Sequence, residues 1–389
     1  MAVKNIVLLG ATGSIGESTL KVLRGHPDRL RLAGIAAHTR YEKLAEIARE
    51  FAVREVAIFD ETAAEKARAS GLFPPGTRIH SGPEGLLALA TLPAADVVVM
   101  AVVGTLGLHP ALAAIRARKA LALASKEILV LAGKFVMAEA ARLNVPILPL
   151  DSEHNAIFQC LHAEPQRQVD RLILTASGGR FRDSSAEEMR NVTPEQALQH
   201  PNWSMGPKIT IDSSTMANKG LELIEARWLF DIPQERIDIV VHPQSIIHSL
   251  VQFIDGSILA QLSPPSMTFA IQHCLFYPGR EQGVVPTLDF AQVFRLDIRP
   301  PDLDRFPCLR LARAASAAAG VAPAVFNAAN EVAVAAFLKN QIPFLGIPAV
   351  IEHTLAAISA GEPENLDAVL AADAEARCRA AEHLSAVAV

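Results

Sequence analysis

Two carboxylates stand two residues apart where a predicted buried strand ends, in the segment VPILPLDSEHNAIFQCL. Asp151 and Glu153 follow six apolar or proline residues, and an extended chain would point both side chains to one face. Carboxylates this close repel each other unless a cation lies between them or one holds a proton. Oxygen-only ligands favour Mg²⁺ or Mn²⁺, so the spacing indicates a metal site. A polar strand end paired with arginines explains these two residues equally well.

A third ligand and a phosphate site are predicted from the segment HPNWSMGPKITIDSSTMANKGLELIEARWLF. Glu222 lies in the first turns of a predicted helix there and is the candidate third oxygen ligand. Ser213, Asn218 and Lys219 offer a hydroxyl, an amide and a cation, which are groups that hold a phosphate. Ser177 precedes two glycines, a backbone that can also accommodate a phosphate.

Two further charged residues end another predicted strand, in LASKEILV. Because the carboxyl ends of parallel strands meet at one sheet edge, Lys126 and Glu127 are predicted to face the same crevice as the acids. His154 is interpreted as a structural histidine and is left out of the metal site. Together these residues predict a nucleotide, a divalent metal and a small phosphorylated substrate at one edge.

A glycine-rich turn indicates the nucleotide. In IVLLGATGSIGEST, three glycines (Gly10, Gly13 and Gly16) follow the first predicted strand and open a helix. Glycines there permit a tight turn and bring backbone N–H groups close to a diphosphate. The spacing is G-x-x-G-x-x-G rather than G-x-G-x-x-G, so a purely structural turn stays an alternative.

The end of the second predicted strand selects the form of the cofactor. An NAD site usually carries an acid there, whereas this chain has His38, Thr39 and Arg40. A cation and a hydroxyl suit a 2′-phosphate, so NADP(H) is favoured over NAD. Alternatively, Arg40 is a solvated residue at the start of a helix.

The elements that position these residues predict an α/β protein. Over residues 1–150, β-branched runs alternate with helical segments, which is typical of a Rossmann-like domain with a parallel sheet. An α+β catalytic domain with an antiparallel portion is predicted over 151–280, with KITIDSST among its strands and a hairpin at Asp255-Gly256. Prolines mark residues 281–305 as a linker, and the alanine-rich residues 306–389 predict a C-terminal helical domain.

The composition narrows the class of protein. The 389 residues carry a net charge of −5, which gives no reason to expect nucleic acid or a membrane surface as partner. The four cysteines are far apart, which argues against a disulfide framework and for a reducing compartment. The N-terminus lacks a signal-peptide pattern, so a cytoplasmic protein is expected.

Several motifs resemble those of the 1-deoxy-D-xylulose 5-phosphate reductoisomerase family, of the methylerythritol phosphate route to isoprenoids. They are GATGSIG, SKE, LDSEHNAIFQ, ASGG, the long HPNW segment, HPQSIIHSLV and NAANEVAVAAF, and they span nearly the whole chain in the family's order. The resemblance implies an NADPH-binding domain, a catalytic domain with a lid near residues 178–207, and a helical domain, in a homodimer. It implies conversion of 1-deoxy-D-xylulose 5-phosphate to 2-C-methyl-D-erythritol 4-phosphate by rearrangement and reduction.

The resemblance also implies residue roles, which combine with those predicted above. The metal, Mg²⁺ or Mn²⁺ with Co²⁺ as a further option, would be bound by Asp151, Glu153 and Glu222. The catalytic set is Lys126, Asp151, Glu153 and Glu222. The substrate would be held by Lys126, Ser152, Glu153, Ser177, His200, Trp203, Ser213, Asn218, Lys219 and Glu222, with Trp203 on the lid. NADPH would be contacted by Thr12, Gly13, Ser14, Ile15, His38, Thr39, Arg40, Ser125, Glu127, Met205 and Gly206.

Some positions depart from the family pattern. Ser125 stands where asparagine is frequent, and His38 and Thr39 stand where lysine or asparagine is common. In LSPPSMTFAI, Ser266 and Thr268 replace an acid and an arginine. None of these changes removes a predicted metal ligand.

Two other functions are compatible with parts of the pattern. A metal-dependent NADP hydroxy-acid dehydrogenase shares the cofactor and metal but should carry an arginine cluster for its carboxylates. A non-catalytic NADP-sensing protein would have no reason to keep three acids at one locus.

Overall fold

The computed structural model describes residues 3–161, 166–203 and 205–388, and the chain divides into two compact units. The first unit comprises Met1–Ile128, Val136–Asn155 and Ser266–Thr287. The second comprises Leu129–Phe135, Ala156–Pro265 and Leu288–Val389. The functional boundaries expected near residues 150, 280 and 305 stay predictions.

The first unit contains a parallel sheet of seven strands. The strands are β1 (Lys4–Leu9), β2 (Leu30–Ala37), β3 (Glu55–Ile58), β4 (Arg78–Ser81), β5 (Val97–Met100), β6 (Ala120–Leu123) and β7 (Ile147–Pro149). Their order is β4-β3-β2-β1-β5-β6-β7, and every neighbouring pair is parallel. The order reverses beside β1, which is where open α/β sheets bind ligands. The predicted Rossmann-like fold class is confirmed.

The second unit contains a mixed sheet. Its strands are β8 (Val169–Ala176), β9 (Ile237–Val241), β10 (Ile247–Phe253) and β11 (Ile258–Leu262), in the order β11-β10-β8-β9. Strand β10 runs antiparallel to both neighbours, and β8 runs parallel to β9. The predicted hairpin is confirmed: Gly256 has a φ of +84°, and the backbone N–H of Ser257 donates to Asp255 Oδ1 at 2.9 Å.

The described residues form sixteen α-helices. They are α1 (Ser14–Gly25), α2 (Tyr41–Glu50), α3 (Glu61–Ser70), α4 (Gly82–Ala90), α5 (Leu108–Arg116), α6 (Glu127–Leu143), α7 (Ser152–Leu161), α8 (Ala186–Arg190), α9 (Pro194–Ala197), α10 (Pro207–Thr215), α11 (Ala217–Phe230), α12 (Met267–Phe276), α13 (Pro307–Ala318), α14 (Ala322–Leu338), α15 (Gly346–Ala357) and α16 (Leu366–His383). Short 3₁₀ turns occur at Gly104–Gly107, Gln166–Gln168, Gln234–Arg236 and Leu384–Ala386. No helix of these described ranges is long and apolar enough to cross a membrane.

The C-terminal helices share a hydrophobic core with the mixed sheet. Leu172 of β8, Leu221 of α11, Phe326 of α14 and Ile351 of α15 belong to one buried cluster. Helices α11 and α13 approach closely, since a Cβ added at Gly220 would lie 2.3 Å from Cβ of Ala312. The predicted helical region therefore packs as part of the second unit.

The predicted strand KITIDSST is wrong, because this segment forms helix α10. Its isoleucines alternate with polar residues, but Pro207 occupies the first turn, where proline favours a helix. Lys208 and Asp212 form an i,i+4 ion pair, and the Thr210 hydroxyl donates to the carbonyl of Gly206. Tertiary burial of Ile211 and Thr210 on the helix outweighs the two-residue period.

The extended geometry predicted for the two acids is also wrong. Strand β7 ends at Pro149, and α7 begins at Ser152. The carbonyl of Asp151 accepts the first helical hydrogen bond from Asn155, and Glu153 lies in the first helical turn. The carboxylates therefore stand at a strand-to-helix turn rather than on one face of a strand.

Candidate active site

The glycine turn lies between β1 and α1 in the first unit. Gly10 has a φ of +102°, and a Cβ there would lie 2.3 Å from the carbonyl oxygen of Ala101 after β5. A Cβ at Gly16 would lie 2.4 Å from the carbonyl oxygen of Ala11. Gly13 is the N-cap of α1, and no side chain of the described residues caps that helix. The N–H groups of its first turn therefore face a cradle of glycines, which fits a diphosphate.

The residues predicted to select NADPH stand at the same edge of the sheet. His38, Thr39 and Arg40 follow β2 and are all exposed. The ring of His38 stacks on Phe59, which follows β3, with centroids 5.3 Å apart. This stacking keeps the imidazole at the sheet edge, next to the hydroxyl and guanidinium that suit a 2′-phosphate.

Strands β6 and β7 bring four predicted residues together in the first unit. Lys126 follows β6, is 5% exposed, and forms an ion pair with Asp151 after β7. The Ser152 hydroxyl donates to the carboxylate of Glu153. Because a buried ammonium is costly without a counter-charge, Asp151 compensates Lys126 at this edge.

Neighbouring side chains hold these two turns. The Ser125 hydroxyl donates to the carbonyl of Val102, which ties the turn after β6 to the turn after β5. Asn155 donates to the carbonyl of Pro149 at 2.9 Å and so closes the turn between β7 and α7. His154 is fully buried, and its Nδ1 lies 3.8 Å from Asp151 Oδ2. Glu127 begins α6 beside Lys126.

His200 connects two predicted phosphate residues in the second unit. Its Nε2 lies 3.0 Å from Ser177 Oγ and 3.1 Å from Ser213 Oγ. Its Nδ1 accepts hydrogen bonds from the backbone N–H groups of Asn202 and Trp203, at 3.1 and 3.0 Å. These two donors assign the proton of the neutral ring to Nε2, which can then donate.

Burial, with a smaller contribution from the positive charge of Arg182, lowers the pKa of His200 to about 4. The imidazole is therefore neutral near pH 7. It acts as a hydrogen-bond donor rather than a cation.

The start of α11 holds the other predicted residues. Met216, with a φ of +62°, joins α10 to α11. Lys219 and Glu222 are 3% and 1% exposed and form an ion pair. Asn218 Nδ2 donates to Glu222 Oε1 at 2.5 Å, so the two carboxylate oxygens of Glu222 have different partners. Spacings of three and four residues place these groups on one helical face.

The predicted lid is only partly covered by the structure, since Ser204 lies outside the described residues. Trp203 is half-buried, and its ring meets His248 edge-to-face with centroids 6.3 Å apart. Met205 is half-buried, and Gly206 is the exposed N-cap of α10. Opening and closing of this segment stay a prediction.

Asn202 was not among the residues predicted for this site. Its Nδ2 donates to the carbonyl of Pro243 at 2.7 Å and to Ser245 Oγ at 2.9 Å, which anchors the turn that carries His200. These partners lie more than forty residues along the chain, so no local pattern indicates them. The sequence feature that could have indicated Asn202 is its position inside the HPNW motif.

Comparison with known proteins identifies the family. Family models described as 1-deoxy-D-xylulose 5-phosphate reductoisomerase, its C-terminal domain, and DXP reductoisomerase C-terminal domain match residues 6–133, 147–230 and 262–379. A 1-deoxy-D-xylulose 5-phosphate reductoisomerase of Ralstonia nicotianae is 50% identical over 388 residues, which cover 98% of each chain. The chain belongs to the 1-deoxy-D-xylulose 5-phosphate reductoisomerase family. The resemblance found in the motifs is thereby confirmed.

Solved structures of the family have the same fold as this chain. The enzyme of Zymomonas mobilis in complex with NADPH is 43% identical, with a TM-score of 0.92 and coverage of 98% of this chain and 99% of that one. A DOX-P reductoisomerase in complex with NADPH, fosmidomycin and magnesium is 42% identical, with a TM-score of 0.92 and 98% coverage of both chains. The family fold therefore extends over nearly the entire chain.

Proposed function

We infer that this chain converts 1-deoxy-D-xylulose 5-phosphate to 2-C-methyl-D-erythritol 4-phosphate, with NADPH and a divalent metal, in the non-mevalonate isoprenoid route. The observation that carries this function is 50% identity to a reductoisomerase over 98% of both chains. The NADPH and magnesium named for related structures agree with the predicted cofactors. The dehydrogenase and sensor alternatives have no comparable support.

The glycine turn and the end of β2 would hold NADPH, which supplies a hydride to the rearranged aldehyde. The first turn of α1 donates N–H groups to the diphosphate, and the close approach of Gly10 to Ala101 leaves no room for a side chain in that cradle. His38, Thr39 and Arg40 would bind the 2′-phosphate. Ser125 and Glu127 would position the nicotinamide end from the turn after β6, with Met205 and Gly206 contributing from the lid.

We propose Asp151, Glu153 and Glu222 as the ligands of one Mg²⁺. Three carboxylates form a hard, oxygen-only donor set that leaves positions for substrate oxygens. A bound Mg²⁺ supplies Lewis-acid polarisation of the substrate carbonyl and stabilises charge that develops on oxygen.

Two lysines would exchange their ion pairs with carboxylates for contacts with the substrate. Lys126 pairs with Asp151, and Lys219 pairs with Glu222. With their carboxylates engaged by a cation, Lys126 can donate hydrogen bonds to the substrate's oxygens, as can Ser152, and Lys219 can contact the phosphate.

The phosphate end would be bound mainly by neutral donors. Ser177, His200 and Ser213 form one connected cluster, and Asn218 and Lys219 add an amide and a cation. A donor cluster that is already ordered loses little entropy when it binds an anion. Because the phosphate is remote from the bonds that change, its binding energy can drive closure of the lid and orient the reacting carbons. Trp203 on the closed lid would shield the aldehyde from water.

We further propose a cytoplasmic homodimer. Strand β11 is an edge strand with Ile258 and Leu259 each 50% exposed, and Phe290 and Val293 are 77% and 101% exposed. An apolar, unpaired edge is a template for pairing with a second chain, which supports self-association. The four cysteines are free thiols, three of them buried, which suits a reducing compartment.

The direct test follows NADPH oxidation by its absorbance, with 1-deoxy-D-xylulose 5-phosphate, in the presence and absence of Mg²⁺. Oxidation is expected only when both substrate and metal are present. A flat trace with both would refute the proposed function. The control for the dehydrogenase alternative is a hydroxy acid with NADP⁺ in place of the sugar phosphate and NADPH, since a dehydrogenase would then form NADPH.

A further inference from the structure

The NAANEV motif places two asparagines in the buried interior of α14. Asn327 and Asn330 are both 0% exposed, in a helix composed mainly of alanine, valine and phenylalanine. Asparagine is a poor residue for a helix interior, and a buried amide is costly unless it is hydrogen-bonded. The bonds made by each amide therefore indicate why it is there.

The two amides have different partners. Asn327 Nδ2 donates to Glu331 Oε1 at 3.2 Å, within the same helix. Asn330 Nδ2 donates to Asp212 Oδ1 at 2.9 Å, and this bond joins α14 to α10. The second amide bonds α10 directly, whereas the first reaches another helix only through Glu331, which pairs with Arg377 of α16.

Asp212 is a buried carboxylate at the centre of α10. It is 1% exposed, and its Oδ2 lies 2.7 Å from Lys208 Nζ in the preceding turn. A buried carboxylate needs a cation and further donors, and Asn330 supplies the donor from outside the helix. The pair therefore fixes the rotation of α10 about its axis, since a turned helix would leave the carboxylate without that amide.

The next residue along α10 is Ser213, whose Oγ lies 3.1 Å from His200 Nε2. The backbone at Ser213 is tightly packed as well, because a Cβ added at Gly179 would lie 2.5 Å from its carbonyl oxygen. A rotation of α10 would thus change both the hydroxyl that meets His200 and the packing of the loop after Ser177.

We propose that Asn330 is a positioning residue for the phosphate-binding cluster. Through Asp212 it holds α10 in the rotation that presents Ser213 to His200 and to the phosphate of the substrate. This inference rests on the proposed function, in which Ser213 binds the phosphate end. It gives the NAANEV motif, more than a hundred residues along the chain from Asp212, a role in substrate affinity.

Asn330→Ala and Asn327→Ala form a matched pair, because both remove a fully buried amide from the same helix. Both are expected to lower the melting temperature. Only Asn330→Ala is expected to raise KM for 1-deoxy-D-xylulose 5-phosphate, by about tenfold, and to weaken competitive inhibition by inorganic phosphate to a similar degree. The kcat should change less than KM, and the Kd of NADPH should stay the same in both variants.

Equal effects of the two variants on KM and on phosphate inhibition would overturn the proposal. Ser213→Ala separates this outcome from failure of the proposed function, because unchanged KM in Ser213→Ala would refute the phosphate site itself. If an alanine variant is not recovered folded, Asn330→Ser and Asn327→Ser receive the same measurements. An unchanged KM in folded Asn330→Ser would also refute the positioning role.

Discussion

Glu222 is deeply buried, and its two carboxylate oxygens accept from donors of different chemistry, the ammonium of Lys219 and the amide of Asn218. Such a carboxylate has either a structural role, as the counter-ion of Lys219, or a metal-binding role. Replacement by the neutral isostere glutamine distinguishes these roles, because the amide keeps the shape but loses the charge that a divalent cation needs.

Glu222→Gln is expected to reduce turnover at least about 100-fold while the Kd of NADPH changes little. Turnover is measured by NADPH oxidation, and cofactor affinity by quenching of protein fluorescence. Glu235→Gln, at an exposed acid of the second unit outside the lid, is the control and should keep wild-type turnover. Wild-type turnover in Glu222→Gln would clear this residue of a metal role.

The lowered pKa of His200 predicts how the stability of the fold changes with pH. Its pKa in the folded chain is about 4, against 6.5 for an ordinary histidine, so the folded state binds this proton less readily than the unfolded state. The neutral ring therefore stabilises the fold above pH 6.5, and this contribution is lost as the pH falls from 6.5 through 4. His200→Gln should lose stability less steeply than the wild type over that range. Chemical denaturation at pH 7, 5.5 and 4.5 measures the difference, and parallel pH profiles for both proteins would contradict the low pKa.

At the scale of elements, the proline-rich residues 281–305 include an arginine that is hydrogen-bonded to a loop of the candidate site. Arg305 Nη1 donates to the carbonyl of Ser184 at 2.7 Å, and its Nη2 donates to the carbonyl of Arg182 at 3.2 Å. Asp302 fixes the same guanidinium through Nε at 2.7 Å. The predicted linker thus holds the loop that follows Ser177, a contact that its composition did not indicate.

Arg305→Met is expected to destabilise the fold by about 1–2 kcal/mol, because it removes three charge-assisted hydrogen bonds from a partly exposed site. Hydrogen exchange should become faster around residues 182–184. Arg310→Met is the matched control, since its pair with Glu352 is exposed and 3.4 Å long, and it should cost less than about 0.5 kcal/mol. Equal exchange in the two variants would refute the role of Arg305.

At the scale of the whole molecule, self-association is the property that the chain's surface predicts. Leu259→Glu places a charge on the exposed β11 edge, where pairing with a second chain would bury it. We expect the wild type to have twice the chain mass by light scattering, and Leu259→Glu to shift toward the mass of one chain. Val3→Asp, at an exposed apolar residue of the first unit, is the control. A wild type that is monomeric at micromolar concentration would refute the homodimer.

The sequence alone determined the features that depend on local chemistry. The alternation of strands and helices predicted the parallel sheet, and the glycines predicted the turn after β1. The side-chain types indicated which acids, lysines and hydroxyls form the candidate site. These features follow from short-range periodicity and from the donor chemistry of single residues. The motif resemblance extended them to a family that the comparisons confirmed.

Other features of the fold and of the candidate site were decided only by the tertiary structure. KITIDSST became helix α10 because burial and the Lys208–Asp212 pair outweighed its alternating pattern. Asp151 and Glu153 lie at a strand-to-helix turn rather than on a strand. The contacts of His200 with Ser177 and Ser213, and the bond between Asn330 and Asp212, join residues far apart in the chain. A linear pattern cannot specify such contacts, since they form only when packing brings distant segments to within hydrogen-bond distance.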